Sequence, residues 1–406
     1  MSRHGREGTR RPVRVGLFGL LGTGNIGNDA SMEAVLRYLR EEHPEVAVDA
    51  MCPGPGRLKA EYAIQAVPLW HRGYERVHGL PGIPLRLSGK IVDGWGIASW
   101  VRRHDVVIVP GMGVMEATVP VRPWETPYAM FMLSAAGRMF GTKVALVSIG
   151  AGPIRQRMTR WLYNAAARLA SYRSYRDTAS RDVMRKRGQN VSADPVYPDL
   201  VFGLPAPADG VADPRIVGVG IMAYYGDNDD RDEAAALHAA YITKMKTFIE
   251  WLADSGRQVR LFVGDAADDS AVAELLASLR ADRPDLDPGQ VTAELVSSFG
   301  DLMRAMTGVQ SVVATRYHNV MCALKLGKPV ISVGYAAKNV ALMADVGVPE
   351  FCQDAKQLDV ELLMKQFVEL EQRSAQIAPI VSARCQAKEE QLAEQFARLS
   401  ASFLAS

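Results

Sequence analysis

Residues Val312 to Lys338 read VVATRYHNVMCALKLGKPVISVGYAAK, and this stretch decides the fold. Val312 to Ala314 end an apolar run that reads as a buried strand; from Asn319 to Leu326 apolar residues recur at helical spacing until Gly327 stops them. Pro329 leads into a second apolar strand, Val330 to Val333. In a parallel sheet both strands point the same way, so Arg316 and His318 at the end of one and Lys338 just past the end of the next share one rim. Ligands of α/β proteins bind along that rim, where helix N-termini add backbone N–H groups and positive dipole ends. An Arg, a Lys and a titratable His placed there describe a site for a small, multiply charged anion.

The 406 residues exceed what one core usually takes, so two domains are expected. Apolar residues make up 48% and charged residues 23%, the balance of a globular chain, and a net charge of +2 favours neither nucleic acid nor a strongly anionic surface. Cys52, Cys322, Cys352 and Cys385 are scattered with no CxxC spacing, which points to a reduced, cytoplasmic protein without structural zinc. The opening MSRHGREGTRRPVR is Arg-rich and has no apolar h-region behind it, so residues 1–12 are expected to be a disordered tail. No run approaches the roughly 20 apolar residues of a membrane span, which leaves peripheral membrane contact at most.

Read in order, Val13 to Leu20 is a first strand, followed by GTGNIGND and a helix from about Ala30 to Glu42. Gly22, Gly24 and Gly27 spell GxGxxG, a dinucleotide fingerprint, but Asn28 and Asp29 at the helix start satisfy the amides a pyrophosphate needs, and Asp29 repels it. Pro53 to Ser99 reads as a long loop carrying Trp70, His71, Tyr74, Trp95 and Trp100, aromatic faces suited to a sugar. Asp105 to Pro110 is a strand ending in Gly111-Met112-Gly113; the loop PVRPWET, with Trp124 and Glu125, precedes a helix at Tyr128 to Phe140. Lys143 to Ile149 is again a strand, and its glycine turn opens toward Arg155 and Arg157, of which Arg155 is a candidate anion contact. Arg176, Asp177 and Ser180 stand where the next strand passes into a helix.

Residues 204–214 have the Pro, Ala and Gly content of a linker. Beyond them Ile216 to Ile221 is a strand, followed by Tyr224 and the acidic run DNDDRDE, whose Asp227 and Asp229 lack a spaced third ligand and read as a solvated helix start rather than a metal site. A helix at Ala235 to Ala253, a strand at Val259 to Val263 and a helix from Ala271 lead back to the opening stretch. From about residue 356 the chain is one long amphipathic helix able to cross back over both halves. The expected organisation is an N-terminal Rossmann-like domain over 13–205, a C-terminal one over 214–355, and a helical segment over 356–406, with the ligand between two doubly wound halves.

Taken together, GTGNIGNDA, DVVIVPGMG, SIGAGP, YRDTAS and above all TRYHNVMCALKLGKPVISVGYAAKN resemble the polysaccharide pyruvyl transferase family over most of the chain. Members of that family usually read Gly-Asp-Glu where this chain has Gly27-Asn28-Asp29, and a glycine pair where it has Gly111-Met112-Gly113. The resemblance implies a glycosyltransferase-B-like fold, phosphoenolpyruvate as donor substrate with no cofactor or metal, and a sugar or glycan-lipid acceptor whose diol becomes a pyruvyl ketal. A donor with a carboxylate and a phosphate demands two or three cationic contacts, here Arg316 as a bidentate clamp, Lys338 as a point charge, and Arg155. His318 is the candidate proton-transfer group, or else only a donor contact, and Asn25, Asp29, Trp124, Glu125 and Tyr224 are the candidates on the acceptor side of the cleft. Nucleic acid is not an expected partner, and a homo-oligomer is compatible with the sequence. The rival readings are a glycosyltransferase-B-type enzyme using a nucleotide sugar, a catalytically silent binding homologue, and a nicotinamide enzyme.

Overall fold

The computed structural model describes residues 11–70, 82–116, 122–207, 210–226, 230 and 232–404. Two six-stranded sheets, with every neighbouring pair parallel, form its frame. The first contains β1 (Arg14–Phe18), β2 (Ala47–Cys52), β3 (Gln65–Pro68), β4 (Val106–Pro110), β5 (Lys143–Ile149) and β6 (Tyr172–Tyr175), in the order β3-β2-β1-β4-β5-β6. Its helices are α1 (Ile26–Glu42), α2 (Pro55–Tyr62), α3 (Gly82–Val101), α4 (Thr126–Phe140), α5 (Arg157–Leu169) and α6 (Thr178–Lys186). The second repeats the plan with β7 (Asp213–Gly220), β8 (Gln258–Phe262), β9 (Val291–Ala293), β10 (Val309–Ala314), β11 (Val330–Gly334) and β12 (Cys352–Asp354), ordered β12-β11-β10-β7-β8-β9. Its helices are α7 (Ala234–Asp254), α8 (Asp269–Asp282), α9 (Phe299–Thr307), α10 (Tyr317–Lys325), α11 (Ala337–Asp345) and α12 (Val360–Leu399).

The central strands are covered on both faces, which is why β4 and β11 are buried at every residue and read as unbroken apolar runs. Each sheet reverses its direction of growth beside its first strand, between β1 and β4 and between β7 and β10, and loops that diverge at such a point leave a crevice. The two crevices face each other. Asn25, after β1, forms an antiparallel bridge with Asp265, after β8; the Ile26 N–H donates to the Gly264 carbonyl at 3.3 Å, and the Ala266 N–H donates to the Gly24 carbonyl at 3.2 Å.

Helix α12 runs for 40 residues and ties the halves together. Phe367 on it packs against Phe248 and Trp251 of α7, while Phe396 stacks on Tyr38 of α1 with ring centroids 4.4 Å apart. The buried Gln395 is satisfied by Ser148 at 3.0 Å and Ser174 at 2.6 Å. The expected return of the C-terminal helix across both halves is thus observed.

The stretch 53–99, expected to be a loop, instead holds α2, β3 and most of α3. Pro55 sits in the first turn of α2, where its missing N–H leaves no bond unmade. Glycine in α3 serves packing: a Cβ at Gly94 would stand 2.4 Å from the Tyr128 hydroxyl of α4. Helix α1 starts a turn earlier than expected because Asn25 is its cap, accepting the Asn28 N–H at 3.1 Å. Arg11, counted with the tail, is held against Asp105 at 2.7 Å, and β7 starts inside the expected linker. Residues 1–10, His71, Tyr74 and Asp227 to Asp229 lie outside the described residues.

Candidate active site

Glu116 follows β4, Arg176 follows β6, and Lys338 lies in the first turn of α11, so strand-end segments of both sheets converge on one point. Arg176 pairs with one Glu116 oxygen, and Lys338 Nζ donates to the other at 3.3 Å. The Arg176 side chain is only 2% exposed and also faces Asp199 at 3.5 Å and Asp177 at 3.6 Å. This close approach depends on a glycine: a Cβ at Gly150 would fall 2.5 Å from Glu116 Oε1 and 2.6 Å from an Arg176 nitrogen. Met112, in the turn leading to Glu116, holds a left-handed φ of 63°, a conformation that costs a non-glycine residue roughly 1–2 kcal/mol. Burial works to raise the Glu116 carboxyl, but Arg176 and Lys338 outweigh it and hold it at about 2. Burial likewise disfavours the Lys338 ammonium, yet Tyr335 and Glu116 keep it above the usual lysine range. The carboxylate and the ammonium are charged at neutral pH.

His318 stands in the first turn of α10 with its ring on Gly27 of α1; a Cβ there would lie 1.9 Å from Nδ1. Its Nε2 is 4.0 Å from Asp199 Oδ2, and neither atom has a hydrogen-bond partner among the described residues. Burial pushes the imidazole down to about 4, helped by Arg176 and Lys338 and opposed by Asp199. At neutral pH the ring is uncharged. A cavity of about 210 Å³ opens beside the cluster, walled by Arg176, Asp177, Asp199, Tyr317 and Lys338 and, from α12, by Arg384 and Lys388; Glu116 and His318 stand behind that wall, against Arg176, Lys338 and Asp199.

Of the residues expected at the site, Lys338 and His318 come together around Glu116, Arg176 and Asp199. Arg316 does not offer its fork to the cavity: Nε and a terminal nitrogen bind both oxygens of the fully buried Asp268 at 2.7 and 2.6 Å. Arg155 precedes α5 and is exposed, away from the cavity wall. Trp124 is 49% exposed against Tyr128, Glu125 precedes α4, and Tyr224 is buried against Tyr241; none of the three lines the cavity. Asn25 bridges the halves, its Nδ2 donating to Asp265 at 2.8 Å. Asp29 accepts the Gly22 N–H at 2.7 Å and stands 3.8 Å from Arg57 Nε.

Burial raises Asp29 to about 6 even though the Gly22 N–H and Arg57 pull it down. A carboxyl raised on folding stabilises the fold in its protonated form, so its contribution is full below the unfolded value and lost as pH rises through the folded one. Relative to Asp29→Asn, the wild type is therefore expected to lose on the order of 3 kcal/mol between about pH 4 and pH 7, measured by denaturant melts. Parallel stability profiles for the two proteins would contradict this.

The family model for polysaccharide pyruvyl transferase matches residues 25–336, three quarters of the chain, which takes in Glu116, Arg176 and His318 and stops just before Lys338. The chain belongs to the polysaccharide pyruvyl transferase family. That makes it a transferase of polysaccharide modification. A search of curated proteins finds no match. Among solved structures it is similar to a putative UDP-N-acetylglucosamine 2-epimerase from Listeria monocytogenes, with a TM-score of 0.60 at 12% identity over 97% of this chain and 98% of that one. It is also similar to Anabaena HepE, solved with UDP and glucose, with a TM-score of 0.59 at 14% identity over 95% and 99%. The glycosyltransferase SnogD from Streptomyces nogalater gives a TM-score of 0.51 at 15% identity over 94% and 99%. At such identities the likeness shows the fold, which is glycosyltransferase-B-like as the sequence implied.

In this family member Glu116 is not legible as a site residue from sequence, and Arg176 is legible only as a residue at a strand-to-helix junction. A single carboxylate three residues past a rim turn carries no signal by itself; only the order β1-β4-β5-β6 brings it to Arg176. Among the described residues no three His, Cys, Asp or Glu side chains gather in a way that holds a metal ion. No helix among them is long and apolar enough to cross a membrane.

Proposed function

We propose that the chain transfers the pyruvyl group of phosphoenolpyruvate to a sugar diol of a glycan or glycan precursor, forming a ketal and releasing phosphate. The observation that carries this reading is the meeting of Arg176 and Lys338, cations from opposite halves, at one small cavity beside a neutral imidazole. The donor is small, and its phosphate and carboxylate call for such a pair. Lys338 is the exchangeable partner: its side chain is 17% exposed, and its 3.3 Å bond to Glu116 can be exchanged for one to phosphate. Arg176 is fixed from three sides and serves as the constant charge of the floor.

In the reaction C3 of the enol gains a proton, the first sugar hydroxyl adds at C2 and gives up its own, phosphate leaves with its bonding pair, and the second hydroxyl adds and is deprotonated. Two hydroxyl protons leave the sugar; one replaces that spent on C3 and the other departs with phosphate. With an imidazole pKa near 4 in the free protein, His318 enters as the base that takes a hydroxyl proton, and a bound donor anion raises its pKa as the ring takes up charge.

Lys338→Ala is expected to weaken phosphoenolpyruvate binding by about 1.5 to 3 kcal/mol, the scale of a hydrogen bond to a charged group. Thermal shift and calorimetry with phosphoenolpyruvate and, in parallel, a UDP-sugar test the reading: stabilisation of the wild type by the former, reduced in the variant, is expected. Stabilisation by the UDP-sugar alone overturns it.

A further inference from the structure

Helices α3, α4 and α5 form one outer layer of the N-terminal half, α3 packed on α4 and α4 on α5. Along it Ile91 and Trp95 of α3, Met139 of α4, and Met158 and Trp161 of α5 are 48–76% exposed, and Trp124 stands beside the start of α4. Trp161 rests on Phe131 with ring centroids 5.6 Å apart, so the apolar surface is continuous from α5 to α4. Cations are interleaved with it. Arg102, Arg103, Arg138, Arg157 and Arg168 are all exposed, and none forms an ion pair among the described residues. The only carboxylate on the three helices, Asp93, is buried and held by Lys90 at 3.0 Å. A face meant for water mixes both signs of charge and keeps large apolar side chains apart; here, apart from Glu125 at the cap of α4, the exposed charges are of one sign and the apolar side chains are gathered.

We propose that this layer docks on an anionic membrane surface, its Trp, Met and Ile side chains entering the headgroup boundary and its arginines meeting lipid phosphates. Tryptophan suits that boundary because one end of the ring is apolar and the other donates a hydrogen bond. Exposed arginines add attraction to acidic lipids. A second copy of the chain is a poorer fit, since a two-fold contact brings the same exposed arginines face to face. Trp124, Met158 and Trp161 lie toward the N-terminal ends of α4 and α5, on the rim that also carries Glu116 and Gly150. Arg102, Arg103, Arg138, Met139 and Arg168 stand at the opposite, C-terminal ends of the three helices, so the layer lies along the bilayer with the cleft mouth at one edge of the contact, on the side from which a lipid-linked glycan presents its sugar. That last step rests on the proposed transferase reading; the docking does not.

The test is co-sedimentation of the full chain with vesicles of phosphatidylcholine alone and of phosphatidylcholine with about a third phosphatidylglycerol. Binding to the acidic vesicles is expected to be tenfold or more tighter than to the neutral ones, to fall with salt, and to shift tryptophan emission to the blue. The double variant Trp95→Glu, Trp161→Glu changes only exposed side chains; it is expected to lose at least tenfold in vesicle binding while keeping its melting temperature and its phosphate release with a soluble acceptor. Three results overturn the docking: no binding to either vesicle, equal binding by the variant, or a concentration-dependent dimer that the two substitutions abolish in a chain that ignores vesicles. Vesicle binding without any phosphate release from phosphoenolpyruvate keeps the docking and removes the proposed reaction.

Discussion

Arg176→Ala is expected to destabilise the fold by about 3 to 5 kcal/mol at neutral pH, the range for breaking a buried ion pair from one side. The guanidinium is the shared partner of Glu116, Asp177 and Asp199, and its removal leaves the buried Glu116 with Lys338 alone and Asp199 with the Val201 N–H and the uncharged His318 ring. Uncompensated charge in a dry site is more costly than the pair was favourable. Two features separate this from simple loss of packing. The deficit shrinks on acidification, because Glu116, no longer held at about 2, can protonate in the variant. It also shrinks when Glu116→Gln is added, since the second change removes the stranded charge. Denaturant melts of the four proteins of that cycle, at two pH values, measure both. Additive losses would show that Arg176 and Glu116 act separately.

His318→Gln is expected to lower kcat by roughly 10² to 10⁴ while largely keeping affinity for phosphoenolpyruvate. Glutamine keeps a hydrogen-bonding side chain over Gly27 and beside Asp199, so positioning survives and proton transfer does not. The sign of the pH effect follows from the burial of the ring. Burial disfavours the imidazolium and holds the free protein's His318 near 4, and a bound donor anion raises that value. A base is lost as it protonates, so wild-type turnover should fall toward acid through the working pKa, and the variant should lack that limb. Intact turnover with weakened donor binding would leave His318 as a ligand contact. Saturating phosphate-release rates and calorimetry on the two proteins distinguish the cases.

What the sequence revealed and what it hid follow from the range of the interactions. Tyr317 to Lys325 and Val330 to Gly334 are helix and strand as read, because apolar periodicity and the Gly-Lys-Pro turn are local signals. His318 and Lys338 were legible as rim residues for the same reason: strand direction in a parallel sheet settles which end they occupy. Arg316 looks like the anion clamp by residue type, yet its fork closes on Asp268, which is 48 residues away in sequence and follows β8, two strands across the sheet from β10. The Glu116 to Arg176 pair spans 60 residues and exists only through strand order and the missing side chain at Gly150. Local reading failed in α3, where glycine marked close contact with α4 instead of a turn.

Phosphate release from phosphoenolpyruvate across a panel of sugar diols bears on the chemistry at the cavity between the two halves with no intermediate step. Release is expected to depend on an acceptor, with one pyruvyl ketal formed for each phosphate, to be lost in His318→Gln and to be restored by no metal. No release with any acceptor, alongside turnover of a UDP-sugar by the same preparation, would contradict it.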